Sequence, residues 1–236
     1  MNPRDPNLAK VELIAHVLGP LCEELVFVGG CATGLLTTLP EATPARMTYD
    51  VDLVVEVASL HGYHQMEAAF ARLGFARDAA IDTEVICRWR YRDLQVDLMP
   101  TDPAILGFAN RWYPMAVAQS ERLTLPSGNA IRLISAPLFV ATKFEAFADR
   151  GGEDPLGSHD LEDNINVIDG RPELYAEITT TTTELREYLA ARCAALLALP
   201  YFKNYLPGLV FQDETLADRV ATIATRLQQI AELHQP

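Results

Sequence analysis

The sequence predicts an α/β fold, in which a mixed β-sheet with flanking helices is followed by a helical C-terminal part. In the first 135 residues, short apolar runs rich in β-branched residues alternate with longer stretches of helical periodicity. After residue 136 the periodicity is almost wholly helical. A chain of 236 residues can bury one large core together with a helical subdomain. We therefore predict a mixed α/β core over residues 1–135 and a helical subdomain over residues 136–236.

Each predicted element follows from a local pattern. Asn7 or a neighbour can cap a first helix, and Gly74 can end a later one. Turn residues at 92–93 and 126–129 separate pairs of apolar runs, which predicts two hairpins. The predicted strands are 25–28, a run that starts at Asp50, 84–91, 94–99, 121–125 and 130–134. The predicted helices are 7–18, 31–36, 60–73, 137–149, 158–168, 183–199 and 214–233.

Composition and charge narrow the classes of function. The net charge of −13 argues against a broad basic surface for nucleic acid. Eight arginines in the middle of the chain could form a local basic patch, but we interpret most of them as parts of a solvated surface. They are Arg72, Arg77, Arg88, Arg90, Arg92, Arg111, Arg122 and Arg132. Four cysteines without paired spacing favour buried free thiols over zinc or disulfides. No apolar run approaches membrane-spanning length, so we expect a cytoplasmic protein without a membrane partner.

Two carboxylates at the start of a core strand are the most informative feature. Asp50 and Asp52 point the same way from a strand, because side chains alternate faces with a period of two. Two such carboxylates repel each other unless a cation lies between them, and oxygen ligands suit Mg²⁺. Upstream, Gly29 and Gly30 follow an apolar strand and could present backbone N–H groups to a phosphate. A phosphate site beside a metal site indicates nucleotidyl transfer.

A third acid, Asp97, lies among apolar residues on a predicted strand, where a charge is costly unless it is paired or metal-bound. If this strand neighbours the Asp50 strand, three carboxylates converge and can bind one or two Mg²⁺ ions. The alternative is an aspartate that faces solvent at the end of a strand.

The helical part contains two further candidates. Lys143 lies in an otherwise apolar helix, where it could pair with phosphate or extend to water as a surface lysine. Asp160 and Asp163 share one face of a helix that Ser158 can cap. The alternative interpretation of these acids is simple compensation of the helix dipole.

These segments, in this order, resemble the nucleotidyltransferase fold of the DNA polymerase β superfamily, and more closely the AbiEii/MenT group of nucleotidyltransferase toxins. The matching segments are Gly29-Gly30, Arg46-x-Thr48-x-Asp50-Val51-Asp52, Lys143 and Asp160-x-x-Asp163. The resemblance spans roughly residues 25 to 170. It implies that Asp50 and Asp52 bind metal, that Lys143 contacts the nucleotide, and that Asp160 or Asp163 acts in or supports catalysis. It also implies a separate antitoxin protein.

The resulting hypothesis is a Mg²⁺- or Mn²⁺-dependent nucleotidyltransferase that moves NMP from a nucleoside triphosphate to a tRNA or protein acceptor. Asp50, Asp52, Lys143 and Asp160 are its predicted catalytic residues, and Asp50, Asp52 and Asp97 are its predicted metal ligands. Its predicted nucleotide-binding residues are Gly29, Gly30, Thr33, Arg46, Thr48 and Asp163. The alternatives are a non-catalytic nucleotide- or partner-binding module on the same fold and a phosphohydrolase. The motifs do not choose among the four nucleotides or among acceptors.

Overall fold

The computed structural model describes residues 4–42, 44–77, 86–150 and 154–234. These residues divide into two compact units. We call the unit formed by Pro6–Ala32 and Arg46–Ser135 the sheet unit. The helical unit comprises the described residues of Met1–Asp5, Thr33–Ala45 and Ala136–Pro236. One junction between the units lies at residues 135 and 136, and the helical unit also includes two segments from the N-terminal third of the chain.

The described residues form seven strands and eleven α-helices. The strands are β1 (Leu25–Val28), β2 (Asp50–Val55), β3 (Ala76–Arg77), β4 (Arg88–Tyr91), β5 (Leu94–Pro100), β6 (Glu121–Thr124) and β7 (Ala130–Leu133). The helices are α1 (Leu8–Leu18), α2 (Thr33–Leu36), α3 (Leu60–Arg72), α4 (Pro103–Leu106), α5 (Tyr113–Ala118), α6 (Ala136–Asp149), α7 (His159–Gly170), α8 (Leu174–Thr179), α9 (Thr183–Ala198), α10 (Phe202–Tyr205) and α11 (Leu216–Ala231).

All seven strands belong to one mixed sheet in the sheet unit. Their order across the sheet is β3-β4-β5-β2-β1-β7-β6. The pairs β2–β5 and β1–β7 are parallel, and the other pairs are antiparallel. The predicted α/β fold, with a mixed sheet and flanking helices, is therefore confirmed.

The central strands β1 and β2 are apolar because both faces of the sheet are covered there. All four residues of β1 are buried, and so are Leu53, Val54 and Val55 at the end of β2. A strand buried on both faces needs a continuous apolar run rather than alternation. The half-buried residues of β2 are Asp50 and Asp52, which share one face at the start of the strand. The acids of β2 thus lie in its half-buried first part, and its apolar residues continue into the buried core.

In the helical unit, α7 is buried almost along its whole length, and α6 packs against it. The first nine residues of α6 are buried. The buried residues of α7 include acids and amides: Asp160, Asp163, Asn164, Asn166 and Asp169. A helix that is buried all round normally has an apolar sequence. The polar residues of α7 therefore require partners inside the unit.

The structure corrects the sequence predictions mainly in the short elements. It adds β3, α4, α5, α8 and α10, each of six residues or fewer, which are too short for a periodic signal. The strand predicted over 84–91 begins at Arg88, and residues 84–85 of that prediction lie outside the described residues. Within the described ranges, no helix is both long enough and apolar enough to cross a bilayer.

All four cysteines are free and buried, as the sequence predicted. Cys193 lies in α9 and is fully buried. Burial raises the pKa of its thiol from 9.0 to about 12, because the thiolate would lose its hydration. Burial likewise raises the pKa of Cys22 to about 11. These thiols therefore belong to the core and are poor nucleophiles in the folded state.

The Cys193→Ala variant should lose less stability than the wild type between pH 9 and pH 12. In the folded protein this thiol stays neutral until about pH 12, whereas the unfolded chain ionises above its ordinary pKa of 9.0. The thiol's contribution is complete below pH 9 and is lost as the pH rises, by up to ~1.4 kcal/mol per pH unit. Urea unfolding of both proteins across this range, each referenced to pH 7, would measure the difference. Equal slopes would contradict the prediction.

Candidate functional site

Three carboxylates meet on one face of the sheet, where β2 and β5 run side by side. Asp50 and Asp52 lie in β2, and Asp97 lies in β5. These strands are parallel and Asp52 is paired with Asp97 in register, so both side chains leave the sheet on the same face. Each of the three acids offers a carboxylate oxygen, and these oxygens lie within 4.8 Å of one another. The three predicted metal ligands are thus brought together.

Arg88 neutralises part of this negative charge. Its Nε donates to Oδ1 of Asp97 at 2.9 Å, and its Nη2 donates to Oδ2 at 2.9 Å. β4 and β5 are antiparallel with Arg88 opposite Asp97, so Asp52, Asp97 and Arg88 form one row across three strands. The paired hydrogen bonds with Asp97 raise the pKa of Arg88 above its ordinary value. Asp97 does not face solvent at a strand end; it is buried and paired.

Arg88 is not one of the solvated surface arginines, because its side chain is 23% exposed and paired with Asp97. A signal for its true position is present in the sequence. The predicted hairpin turns at residues 92–93, and a two-residue turn places Tyr91 opposite Leu94. Counting back along both strands places Arg88 opposite Asp97. The strand register of the predicted hairpin therefore identifies the pair of Arg88 and Asp97, which composition does not.

A second set of contacts orients Asp50 through the segment that precedes it. The hydroxyl of Thr48 donates to Oδ1 of Asp50. Asn7, which is fully buried, donates to the carbonyl of Arg46 at 2.8 Å and accepts from the backbone N–H of Thr48 at 2.9 Å. Lys10 donates to the carbonyl of Thr48. The start of α1 therefore braces the predicted metal-binding segment.

Asn7 precedes α1, but its side chain does not cap that helix, which was one of the sequence predictions. The Asn7 side chain could accept a hydrogen bond from the first turn of α1. It bonds instead to the backbone of Arg46 and of Thr48. Thr48, predicted to bind nucleotide, is buried and hydrogen-bonded to Asp50. The structure thus places Thr48 as a support for Asp50, a predicted metal ligand, which the sequence did not reveal.

The carboxylate of Asp52 occupies the space that a side chain at position 29 would fill. Gly29 follows β1 and has φ +65, a backbone conformation that side chains disfavour. A Cβ atom at this position would lie 1.7 Å from Oδ2 of Asp52. Gly30 opens a buried turn of 3₁₀ helix, Gly30–Ala32. The glycine predicted to approach phosphate is therefore also required by the neighbouring carboxylate.

Thr33, a predicted phosphate contact, lies in the helical unit at the first residue of α2. It is fully buried. Among the residues that the structure describes, its Oγ1 has no hydrogen-bond partner. A buried hydroxyl without a partner costs free energy, so hydrogen bonding does not explain why a threonine occupies position 33.

The helical unit contains its own charge cluster, formed by the buried Lys143, Asp160 and Asp163 and the exposed Arg150. Nζ of Lys143 lies 2.7 Å from Oδ2 of Asp163 and 3.1 Å from Oδ1 of Asp160. Arg150 pairs with the other oxygen of Asp160. Lys143 is only 8% exposed and Asp163 is 0% exposed, so Lys143 does not extend to water. The acids face cations, and Ser158 accepts from the backbone N–H of Leu161 and caps α7.

The structure therefore brings Asp50, Asp52 and Asp97 together in the sheet unit, and Lys143, Asp160 and Asp163 together in the helical unit. In the sheet unit, Gly29 lies beside Asp52 and Thr48 donates to Asp50. The helical unit contains Lys143 with Asp160 and Asp163. Arg88, Asn7 and Arg150 are members of these clusters that the sequence did not single out as site residues. No protein-family model matches this chain, and no curated protein matches it, so the resemblance depends on the sequence motifs alone.

The Gly29→Ala variant should displace Asp52 and weaken Mn²⁺ binding at the three carboxylates by about tenfold or more. The added Cβ would overlap Oδ2 of Asp52. Gly128→Ala is the matched control: it has φ +86, but nothing lies within 4 Å of its added Cβ. Both variants should lose about 1–2 kcal/mol from the left-handed backbone. Calorimetric Mn²⁺ titration of both proteins measures the effect, and equal affinities would refute the role of Gly29.

The Lys143→Met variant should be destabilised by about 3–5 kcal/mol, because it leaves the buried Asp163 without its cation. Lys203→Met, at an exposed position of the same unit, should change stability by less than ~0.5 kcal/mol. Adding Asp163→Asn to Lys143→Met should restore part of the loss. Chemical unfolding measures all three, and a Lys143→Met variant as stable as the control would exclude a structural role for this pair.

Proposed function

We propose that this protein is a Mg²⁺- or Mn²⁺-dependent nucleotidyltransferase that moves NMP from a nucleoside triphosphate to an acceptor. The observation that supports this function most strongly is the group of three carboxylates on β2 and β5, with oxygens within 4.8 Å of one another. Such a group is costly without a cation. The group follows the Gly29-Gly30 turn in the sequence, which matches the order of phosphate and metal motifs in the superfamily that the sequence resembles.

The donor set fits Mg²⁺. The ion prefers six oxygen ligands at about 2.0–2.1 Å, so ligand oxygens on one ion are separated by about 3–4 Å. The carboxylate oxygens of Asp50, Asp52 and Asp97 are compatible with these separations. Asp50 is already oriented by Thr48, and Asp52 by the space beside Gly29. The bound ion would orient the triphosphate and neutralise charge on it.

The other residues have roles in the proposal that follow from their chemistry. The backbone N–H groups of Gly29 and Gly30 would face phosphate, and Arg46 would reach phosphate or brace the segment before Asp50. Lys143 would neutralise charge that develops on the phosphate, and Asp163 would assist nucleotide binding. Lys143 would then have to exchange one carboxylate partner for phosphate, because both partners are in place in this structure.

The proposal also covers the acceptor of NMP and the residue that takes its proton. Asp97 and Asp160 are the candidates to accept the proton of an attacking hydroxyl. A protein hydroxyl or a tRNA end are the acceptors that we propose, with a cognate antitoxin as a regulator. The net charge of −13 favours the protein acceptor, since a polyanion would be repelled.

One observation favours the second candidate, a non-catalytic nucleotide- or partner-binding module. Both oxygens of Asp97 are held by Arg88, and both oxygens of Asp160 face cations. Each acid would have to give up an ion pair before it could accept a proton. A protein that only binds nucleotide has no need of a proton acceptor, and its buried pairs would serve stability alone.

The Asp52→Asn variant should lose nucleotidyl transfer by at least about 1,000-fold while it keeps its fold. The assay incubates the purified protein with Mg²⁺ and each of the four labelled nucleoside triphosphates, with and without total tRNA. Asp93→Asn is the matched control, because it removes an exposed carboxylate from the turn between β4 and β5. Label should appear on RNA or protein with the wild type and the control.

The outcomes separate the two candidates. Label that persists in Asp52→Asn would overturn the assignment of the metal site. Nucleotide binding by calorimetry without transfer to any acceptor would favour the binding module. Circular dichroism and thermal unfolding of each variant check that a lost signal is not a lost fold.

A further inference from the structure

The charge cluster of the helical unit is ordered from the core to the surface. The side chain of Asp163 is fully buried, that of Asp160 is 5% exposed, and that of Arg150 is 73% exposed. Lys143 lies between the two acids, with Nζ 2.7 Å from Oδ2 of Asp163 and 3.1 Å from Oδ1 of Asp160. Of these four residues, Arg150 is therefore the one that is open to solvent.

Asp160 is shared by two cations, and each cation uses a different oxygen. Nζ of Lys143 donates to Oδ1, and Nη1 of Arg150 donates to Oδ2. Both oxygens of an ionised carboxylate accept hydrogen bonds, so the two cations do not compete for the same atom. Either cation can therefore leave Asp160 while the other stays.

The two acids differ in what happens when the lysine moves away. Asp163 has no contact with water, so hydration cannot replace the ammonium there. At Asp160 the guanidinium of Arg150 remains on the other oxygen. The contact with Asp160 is also the longer of the two that Lys143 makes. Asp160 is therefore the carboxylate that Lys143 gives up at the lower cost in free energy.

We propose that Lys143 binds phosphate by exchanging Asp160 for it, and that Arg150 makes the exchange possible by keeping Asp160 paired. This inference rests on the proposed function, in which Lys143 neutralises charge on the triphosphate. Arg150 is a positioning residue: it acts through Asp160 and need not contact the substrate. In the bound state, Lys143 would lie between Asp163 and phosphate, and Asp160 would stay paired with Arg150.

The test is calorimetric titration of the full chain, in Mg²⁺, with inorganic triphosphate and with each of the four nucleoside triphosphates. Arg150→Gln should weaken binding by about tenfold or more, because the exchange would take the ammonium from an acid that no longer has its guanidinium. Arg150→Lys should restore most of the affinity, since it keeps a cation for Asp160. Lys203→Gln is the control: it removes one positive charge from an exposed position of the same unit, and it should bind like the wild type.

Asp160→Asn separates this role from a direct contact between Arg150 and phosphate. With a neutral amide at position 160, Lys143 has no ion pair to give up there, so this variant should bind triphosphate more tightly than the wild type. Adding Arg150→Gln to Asp160→Asn should change the affinity by less than about twofold, because the first substitution removes the group through which Arg150 acts. A tenfold loss in this background would overturn the inference, because Arg150 would then contact phosphate itself.

Thermal unfolding without ligand is the control for the fold. Arg150→Gln should unfold close to the wild-type temperature, because Lys143 still pairs with Asp160 in the free protein. If Arg150→Gln does not fold, Asp160→Asn decides, since unchanged or weaker binding by that variant would overturn the inference.

The remaining outcomes distinguish this inference from the proposed function. Equal affinities of Arg150→Gln and the wild type would overturn the inference and leave the proposed function intact. Binding that follows all these expectations, without transfer of NMP to any acceptor, would support the inference and count against the proposed transfer. If none of the five probes binds to the wild type, the inference and the proposed function are overturned together.

Discussion

The parallel pairing of β2 with β5 is the constraint on which the candidate site depends. It places Asp52 beside Asp97, and from this pair the antiparallel neighbour β4 places Arg88 in the same row. A slip of one residue in either pairing would turn one member of the row to the opposite face of the sheet. The apolar residues that follow the acids in β2 resist such a slip, because it would expose them. The packing of the core therefore determines the geometry of the charges.

Buried charge is handled by direct pairing in both units. In the sheet unit, a guanidinium meets a carboxylate next to two further acids. In the helical unit, a lysine meets two acids on α7, one of which also meets an arginine. A buried pair adds little net stability but is expensive to break, because the surviving charge cannot be hydrated. Substitutions in either cluster therefore test stability and function at once, which is why each needs a folding control.

The local supports of the acids come from distant parts of the sequence. Asn7 lies 41 positions before Thr48, yet its amide bonds to the backbone on both sides of Met47 and so holds the segment before Asp50. Gly29 supports Asp52 by leaving space rather than by making a contact. Supports of this kind tune how firmly a ligand is oriented, and their loss typically weakens a metal site without removing a ligand. The residues that shape the carboxylate group therefore extend beyond the sequence motif that contains Asp50 and Asp52.

The sequence by itself determined the fold class, most of the long elements, and the grouping of acids by strand and helix periodicity. Asp50 and Asp52 share a face because strands alternate, and Asp160 and Asp163 share a face because helices repeat every 3.6 residues. These are local rules, so one chain segment suffices to apply them. Only the tertiary structure decided that Asp97 joins the first pair, that Lys143 is a buried partner rather than a surface cation, and that Asn7 braces Thr48. Such contacts depend on strand order and helix packing, which arise from burial of the whole core and leave no periodic signal in the sequence.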